Sequence, residues 1–285
     1  MGLYEVDHQE HMAWEYAMGY HGDPLDHLEE MRASNKSDKT LYIDADSLVY
    51  YAAYNKTLTN PCKAEEGDFI GDEIGIRFND YKQVFRDRVE AVVLECELAS
   101  YRKELPKFKD YKLIFTPKTN FRYDIYPDYK KSRKNLEKTT TLKRLERYAR
   151  SLGYTPEGIE ADDYVYYMST QGHPIASGDK DVVYSTPSCY FYHAAHEKVV
   201  INTEEDRNKF LLLQCLAGDS TDDIPGIKGV GMKTKLLHKI DKPTFRDVIE
   251  IYERKGYTKE DAILTRRLVG LDQFNGRKVK LWNLS

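Results

Sequence analysis

Residues 39–54 read KTLYIDADSLVYYAAY. The segment TLYI at 40–43 makes a short strand that stops at Asp44, and residues 47–54 then read as a helix. Working outward, residues 76–98 carry a long helical pattern with apolar Phe78, Phe85, Val89, Val92 and Val93. A second strand, YKLIF, covers 111–115, and an amphipathic helix covers 135–152 with Leu142, Leu145, Tyr148 and Ala149 at helical spacing. Ile159 starts another helix. Residues 174–176, 182–186, 189–193 and 198–201 read as further strands. Strands alternating with helices predict an α/β core with a largely parallel sheet. From Glu204 the pattern turns helical, at 207–217, 232–239, 245–252 and 259–269. Residues 279–282 are expected to return as a strand or to pack on the core.

The chain has 285 residues, enough for a substantial core. Its 23 tyrosines lift the aromatic share to 12%, which argues against full disorder. No apolar run approaches the length of a membrane span, and the first residues lack a basic-then-apolar signal segment. Cys62, Cys96, Cys189 and Cys215 show no CxxC spacing and read as reduced thiols of a cytoplasmic protein. The net charge of -4 argues at first against a nucleic-acid partner. Its distribution reverses that argument. Residues 1–38 hold nine acids and two bases, while 101–150 hold 16 bases and six acids and 224–285 hold 14 bases and seven acids. Two basic blocks can gather phosphates. They can equally be solvated helical faces. The acidic stretch includes His8, His11, His21 and His27 at irregular spacing. It reads as a helical appendage at 25–32 with a polar linker at 33–39 rather than a metal cluster.

Acidic groups stand at the edges of the expected elements. They are Asp44 with Asp46, Glu160 with Asp162 and Asp163 in GIEADD, Asp179 with Asp181 in SGDKD, and Asp219 with Asp222 in GDSTDD, next to Asp223. A weaker group is Asp124 and Asp128. Ligands of a parallel sheet bind beyond the carboxyl ends of its strands. Glu160 and Asp163 are three apart, as are Asp219 and Asp222, so a helix would put each pair on one face. Asp179 and Asp181 would point the same way in extended backbone. Each group alone can be a helix cap. Together they would repel unless cations neutralised them, and oxygen ligands suit Mg²⁺ or Mn²⁺. Two such ions roughly 4 Å apart can activate water and steady a leaving oxygen in phosphodiester hydrolysis.

Residues 223–240, DIPGIKGVGMKTKLLHKI, place Gly226, Gly229 and Gly231 where tight turns and close approach are needed. Their amides can hold a phosphate, with Lys228, Lys233 and Lys235 adding charge. The spacing lacks GxxxxGK[ST], and a plain glycine-rich link is the bland alternative. In residues 120–134, NFRYDIYPDYKKSRK, we single out Arg122, Lys130 and Arg133. Tyr126 and Tyr129 interleave with them and can stack on bases, or pack beneath a solvated basic face.

The segments LYIDAD, FRYDIYPDYKKSR, GIEADD, SGDKD and GDSTDDIPGIKGVGMKT together resemble the 5'-nuclease family. That family comprises flap endonucleases, the 5'-3' exonuclease domain of bacterial DNA polymerase I and bacteriophage 5'-3' exonucleases. The resemblance covers residues 40 to about 240. With DAILTRRLVGLDQF and VKLW it is most similar to exonucleases of T7-like phages. It implies a Rossmann-like, PIN-like core at 39–203 with a short basic clamp at 120–150. A helical DNA-binding portion would follow at 204–285, with a helix-hairpin-helix at 218–240. It further implies a 5'-3' exonuclease dependent on two Mg²⁺ or Mn²⁺ ions, with flap endonuclease and 5' RNA-primer removal activity. The product would carry a 5'-phosphate. Partners would be duplex DNA with 5' ends, flaps or RNA–DNA hybrid, and the expected state is a monomer.

By residue, Asp44, Glu160, Asp162, Asp163, Asp179, Asp181, Asp219 and Asp222 resemble the metal-site acids, with Asp162 and Asp179 central to catalysis. Lys130 and Arg133 resemble the residues that engage the reacting phosphate. Gly226 to Lys233 resembles the hairpin, whose carbonyls in relatives also hold a K⁺. Members usually carry an Asp after the second strand; here that stretch reads IFTPKTNFR, with Thr116 and Pro117, and Asp46 is a candidate substitute. Between Arg133 and Leu152 there is little room for a long helical arch, so a duplex 5' end suits the chain better than a threaded flap. The rival readings are a PIN-like metal-dependent ribonuclease and a non-catalytic duplex-binding protein.

Overall fold

The computed structural model describes residues 32–55, 78–133, 137–193 and 196–284. His8, His11, His21, His27, Cys62 and nearly all of the expected appendage helix lie outside the described residues. Met1–Asp38 and Lys39–Ser285 are separate compact units. The second unit holds the sheet, and the helical stretch from Glu204 is part of the same body.

Five strands, β1 (Thr40–Asp44), β2 (Asp110–Ile114), β3 (Ile175–Ser177), β4 (Ser188–His193) and β5 (His196–Ile201), form one sheet in the order β2-β1-β3-β4-β5. The first three pairings are parallel; β4 and β5 are antiparallel. Alternation along β1 sorts the layers. Leu41 and Ile43 face a core shared with helices α1 (Asp46–Ala53), α2 (Phe78–Tyr101) and, beyond the short α3 (Phe121–Ile125), α4 (Thr140–Arg150). Tyr42 faces the other core, built on α5 (Ala161–Thr170) and α6 (Lys180–Ser185) through Ala161, Val165, Val182 and Val183. A third cluster joins α7 (Glu204–Ala217), α8 (Phe245–Arg254) and α9 (Lys259–Val269) around Leu216, Val248, Tyr252 and Leu268. Capping boxes fix their starts, pairing Thr203 with Asp206, Thr244 with Asp247 and Thr258 with Asp261.

Several local expectations are corrected. Residues 182–186 were expected as a strand but form most of α6, because Asp179 caps that helix by accepting from Asp181 N–H at 2.8 Å. Val182 and Val183 are both buried, which an alternating strand would not allow. Residues 232–239 do not form a helix. They make successive i→i+3 turns, with Thr234 N–H on Gly231 C=O and His238 N–H on Lys235 C=O. Leu237 is their one buried hydrophobic residue, while Met232 and Leu236 are exposed, so little packing offsets the cost of nucleating a helix. The hairpin is therefore a helix followed by turns. Residues 279–282 form no strand and pack on the helices, with Trp282 edge-on to Phe245. Cys96, Cys189 and Cys215 are buried free thiols. No helix among the described residues is long and apolar enough to cross a membrane.

Candidate active site

Because β1 and β3 run parallel and adjacent, their last residues reach the same edge of the sheet. Ser177, ending β3, donates its hydroxyl to Asp44 Oδ2 at 2.9 Å and accepts from Asp179 N–H at 2.9 Å. One serine thus ties the first acidic group to the third. Tyr192 donates its hydroxyl to the Asp44 carbonyl. Asp44 is 5% exposed, and burial, then Asp46 and Asp179, push its carboxyl up to about 7. Asp162, in the first turn of α5, stands beside the Asp44 carboxyl. Burial, with Asp44 and Asp179 as neighbours, raises Asp162 as well. Asp181 is pushed up to about 7 by burial and by Asp179, Asp219 and Asp222. None of Asp44, Asp162, Asp179, Asp181 or Asp219 has an ion-pair partner among the described residues.

Two other acids have cationic partners. Glu160 accepts from Lys130 Nζ at 2.7 Å, Tyr129 Oη at 2.8 Å and Asn120 Nδ2 at 3.0 Å. Burial opposes its charge, but Lys130 and Arg122 hold the carboxyl below its ordinary value. Asp222 meets Arg133 at 2.7 Å and Lys130 at 3.3 Å. Lys130 sits in left-handed backbone, φ 51°, and its N–H bonds the Asp222 carbonyl at 2.9 Å. Ser132 also donates through its N–H and hydroxyl to Asp223 Oδ2, so the clamp docks on the GDSTDD loop.

Three sequence assignments change. Asp163 was grouped with the metal acids but is fully buried in a bidentate pair with Arg122, at 2.6 and 2.7 Å. Arg122, assigned to DNA, is 2% exposed and also donates to the Leu268 and Gly270 carbonyls. This pair fastens α3, α5 and the end of α9 together. Tyr129, also assigned to DNA, is buried, and its hydroxyl bridges Glu160 and Asp222. Tyr126 is half-buried against the C-terminal core. Asp124 and the Asp128–Lys131 pair are exposed.

Thr116 N–H donates to Asp46 Oδ2 at 2.9 Å, and Thr116 Oγ1 caps the Ala161 N–H at 3.1 Å. Asp46, the expected substitute, is therefore held by Thr116. In the hairpin Lys228, Lys233 and Lys235 are exposed, and Lys228 N–H bonds Tyr257 Oη at 3.1 Å. Gly229 takes φ 77°, a turn conformation, whereas Gly226 is needed for close approach to the Ala217 carbonyl group. Ser177, Asn120 and Tyr192 were missed by sequence reasoning; nothing in their local spacing marks them.

Among the described residues no group of three or more His, Cys, Asp or Glu side chains is arranged to hold a metal ion as it stands. The donor chemistry nonetheless fits a hard divalent cation. Asp162, Asp179 and Asp181 line one crevice and Asp44 adjoins Asp162 and Asp179; all four would be oxygen ligands, and none has an ion-pair partner among the described residues.

No family model matches the chain. The 5'-3' exonuclease of Buchnera aphidicola subsp. Acyrthosiphon pisum (strain APS) is 30% identical over 202 residues, covering 56% of this chain and 70% of that protein. The chain belongs to the 5'-3' exonuclease family. Flap endonuclease Xni of Shewanella sp. (strain MR-4), 31% identical over 135 residues, matches 40% of this chain, which spans 51% of that relative. The chain thus spans about half the length of such flap endonuclease relatives. Among solved structures, the T5 5'-exonuclease with bound zinc superposes with a TM-score of 0.54 at 17% identity, covering 82% of this chain and 89% of that one. A T5 D15 protein co-crystallised with metal ions gives 0.53 at 16% identity over the same shares. At these identities the likeness is one of fold.

Proposed function

We propose that the chain is a divalent-metal-dependent 5'-3' exonuclease acting on duplex DNA, with flap endonuclease activity. The reading is carried by one observation: Asp162, Asp179, Asp181 and Asp219, none with an ion-pair partner among the described residues, line a single crevice together with Lys130 and Arg133. Asp44, Asp162 and Asp179, with Asp46, would hold a first ion, and Asp181 and Asp219 a second. Bound Mg²⁺ or Mn²⁺ would supply the positive charge that favours ionisation of the attacking water and steadies the leaving oxygen.

Arg133, 45% exposed on its side chain, and the partly exposed Lys130 would orient the phosphodiester and offset charge developing on its oxygens. To do so they must loosen from Asp222 and Glu160. Water adds to phosphorus, the bond to the 3' oxygen breaks, and the products are a 3'-hydroxyl and a 5'-phosphate. Asp44 and Asp181, raised toward neutrality in the metal-free protein, would give up their protons as an ion binds. The exposed lysines and turns of the hairpin would contact the duplex backbone without reading sequence, with a K⁺ at its carbonyls. The likeness to structures with bound metal ions, and a T5 flap endonuclease complex with DNA, supports the same direction. A 5' RNA primer on DNA is a second substrate, the enzyme acts as a cytoplasmic monomer, and the short sequence span from Arg133 to Leu152 favours duplex ends over long flaps.

The test is end-labelled duplex and flap DNA with Mg²⁺ or EDTA, comparing wild type with Asp162→Ala and Asp219→Ala. Mononucleotide release that needs Mg²⁺ and drops at least a hundredfold in both variants is expected. Cleavage that persists in EDTA, or is unchanged in both variants, would overturn the reading.

A further inference from the structure

The crevice that holds the carboxylates has a volume of about 570 Å³, and its walls continue past the acids onto α6 and α7. Asp181 and Tyr184 are three apart on α6 and share a face; Phe210 and Gln214 are four apart on α7 and do the same. The Tyr184 and Phe210 rings meet at 5.3 Å with planes inclined by 41°. Tyr184 is 38% exposed, a large ring left in water at the cavity wall. Gln214 is only 3% exposed, and its Oε1 has no hydrogen-bond partner among the described residues.

That orphan acceptor is the unusual feature. A buried carbonyl oxygen without a donor is destabilising, and native proteins rarely keep one without a use. The packing of α7 does not call for an amide there. Its neighbours Leu212, Cys215 and Leu216 are apolar members of the C-terminal core. A group entering the cavity can supply the donor. A ring face next to an amide that both donates and accepts suits a planar heterocycle with N–H and acceptor atoms on its edge. Among the components of a nucleic acid, only the base has that chemistry, and aromatic side chains bind its face whatever the sequence.

We propose that Tyr184, Phe210 and Gln214 form a nucleobase-binding subsite adjoining the carboxylates. Tyr184 and Phe210 supply the apolar wall, and the Gln214 amide hydrogen-bonds the edge of the base. The subsite rests on the reading of the crevice as a nuclease centre and adds a grip on the base to the grip on phosphate. It holds the nucleotide by a part that does not react, so it acts on positioning.

The probe is 2'-deoxyadenosine, which carries no phosphate, titrated in EDTA so that neither metal nor charge contributes. Binding is read by NMR saturation transfer to wild type, Gln214→Leu and Tyr184→Leu, with the abasic sugar 1,2-dideoxyribose as control. Transfer to the base in wild type, loss in both variants and none to the sugar alone are expected. With Mg²⁺ and labelled duplex, kcat/KM should fall roughly tenfold in each variant, while the melting temperature of Gln214→Leu stays level or rises because no partner is lost. Equal transfer to all three proteins would overturn the subsite and leave water as the partner of Oε1. So would a wild type that cleaves DNA but shows no transfer. A wild type that binds the nucleoside through Gln214 yet cleaves no DNA would instead overturn the nuclease reading and keep the subsite.

Discussion

Asp44→Asn will make the metal-free protein more stable at pH 8 and leave it nearly unchanged at pH 4. Asp44 is buried at the end of β1, and its carboxyl stands at about 7 against an ordinary 3.8, through burial first and then Asp46 and Asp179. The folded value exceeds the unfolded one, so folding favours the protonated form. Below 3.8 both states carry the proton and there is no penalty. As pH rises toward about 7, the unfolded chain releases the proton while the folded chain keeps it, and stability is lost across that window. Above it the full penalty is about 4 kcal/mol. Asn carries no charge at any pH and keeps an oxygen to accept from Ser177. Because neighbouring acids share the cost, the variant should gain about 2–4 kcal/mol at pH 8. Urea unfolding in EDTA at both pH values measures this, and the comparison with wild type cancels other titrating groups. Addition of Mg²⁺ should then raise wild type more than the variant. A stability difference that is the same at pH 4 and pH 8, or of opposite sign at pH 8, would refute the claim that unbalanced charge surrounds Asp44.

Three further outcomes rest on the same geometry. Arg122→Met leaves Asp163 buried without its partner and should cost about 3–5 kcal/mol in urea unfolding, with much of the loss recovered by adding Asp163→Leu. Gly226→Ala should destabilise by about 1–3 kcal/mol, since a Cβ there meets the Ala217 carbonyl group and Gly218 N. Asp44 and Asp181 both stand at about 7, so Mg²⁺ binding should release protons near pH 6.5 and tighten as pH rises to 8. Calorimetry in buffers of different ionisation enthalpy detects that release.

The sequence was legible where a signal is local. TLYI at 40–43 is β1 to within a residue, residues 259–269 are α9, and Asp162, Asp179, Asp181, Asp219 and Asp222 line one crevice. It was illegible where the deciding contact is distant in the chain. Arg122 and Tyr129 look like any residues of a basic, aromatic stretch. Only the fold brings Asp163 onto Arg122 and both Glu160 and Asp222 onto Tyr129. The pair of valines after Asp181 reads as strand by residue type, but the cap at Asp179 converts it to helix. Gln214 sits in an apolar helical run and gives no sign that its amide is unpaired.

The acids divide by what already neutralises them, and this yields a last test. Glu160 and Asp222 are held by Lys130, Arg133 and Tyr129, whereas Asp44, Asp162 and Asp181 have no ion-pair partner among the described residues and lie among other acids. Glu160 is held below its ordinary value, so its ionised form stabilises the fold. Asp162 is raised, so its ionised form destabilises it. Glu160→Gln should therefore weaken the metal-free protein at pH 8, by about 3–5 kcal/mol as for a broken buried pair, and Asp162→Asn should strengthen it. If both changes destabilise alike, the carboxylates form a single structural network. If they diverge as stated, an entering cation has one vacant set of charges to choose, and Lys130 and Arg133 are freed for the phosphate only when substrate competes them away from Glu160 and Asp222.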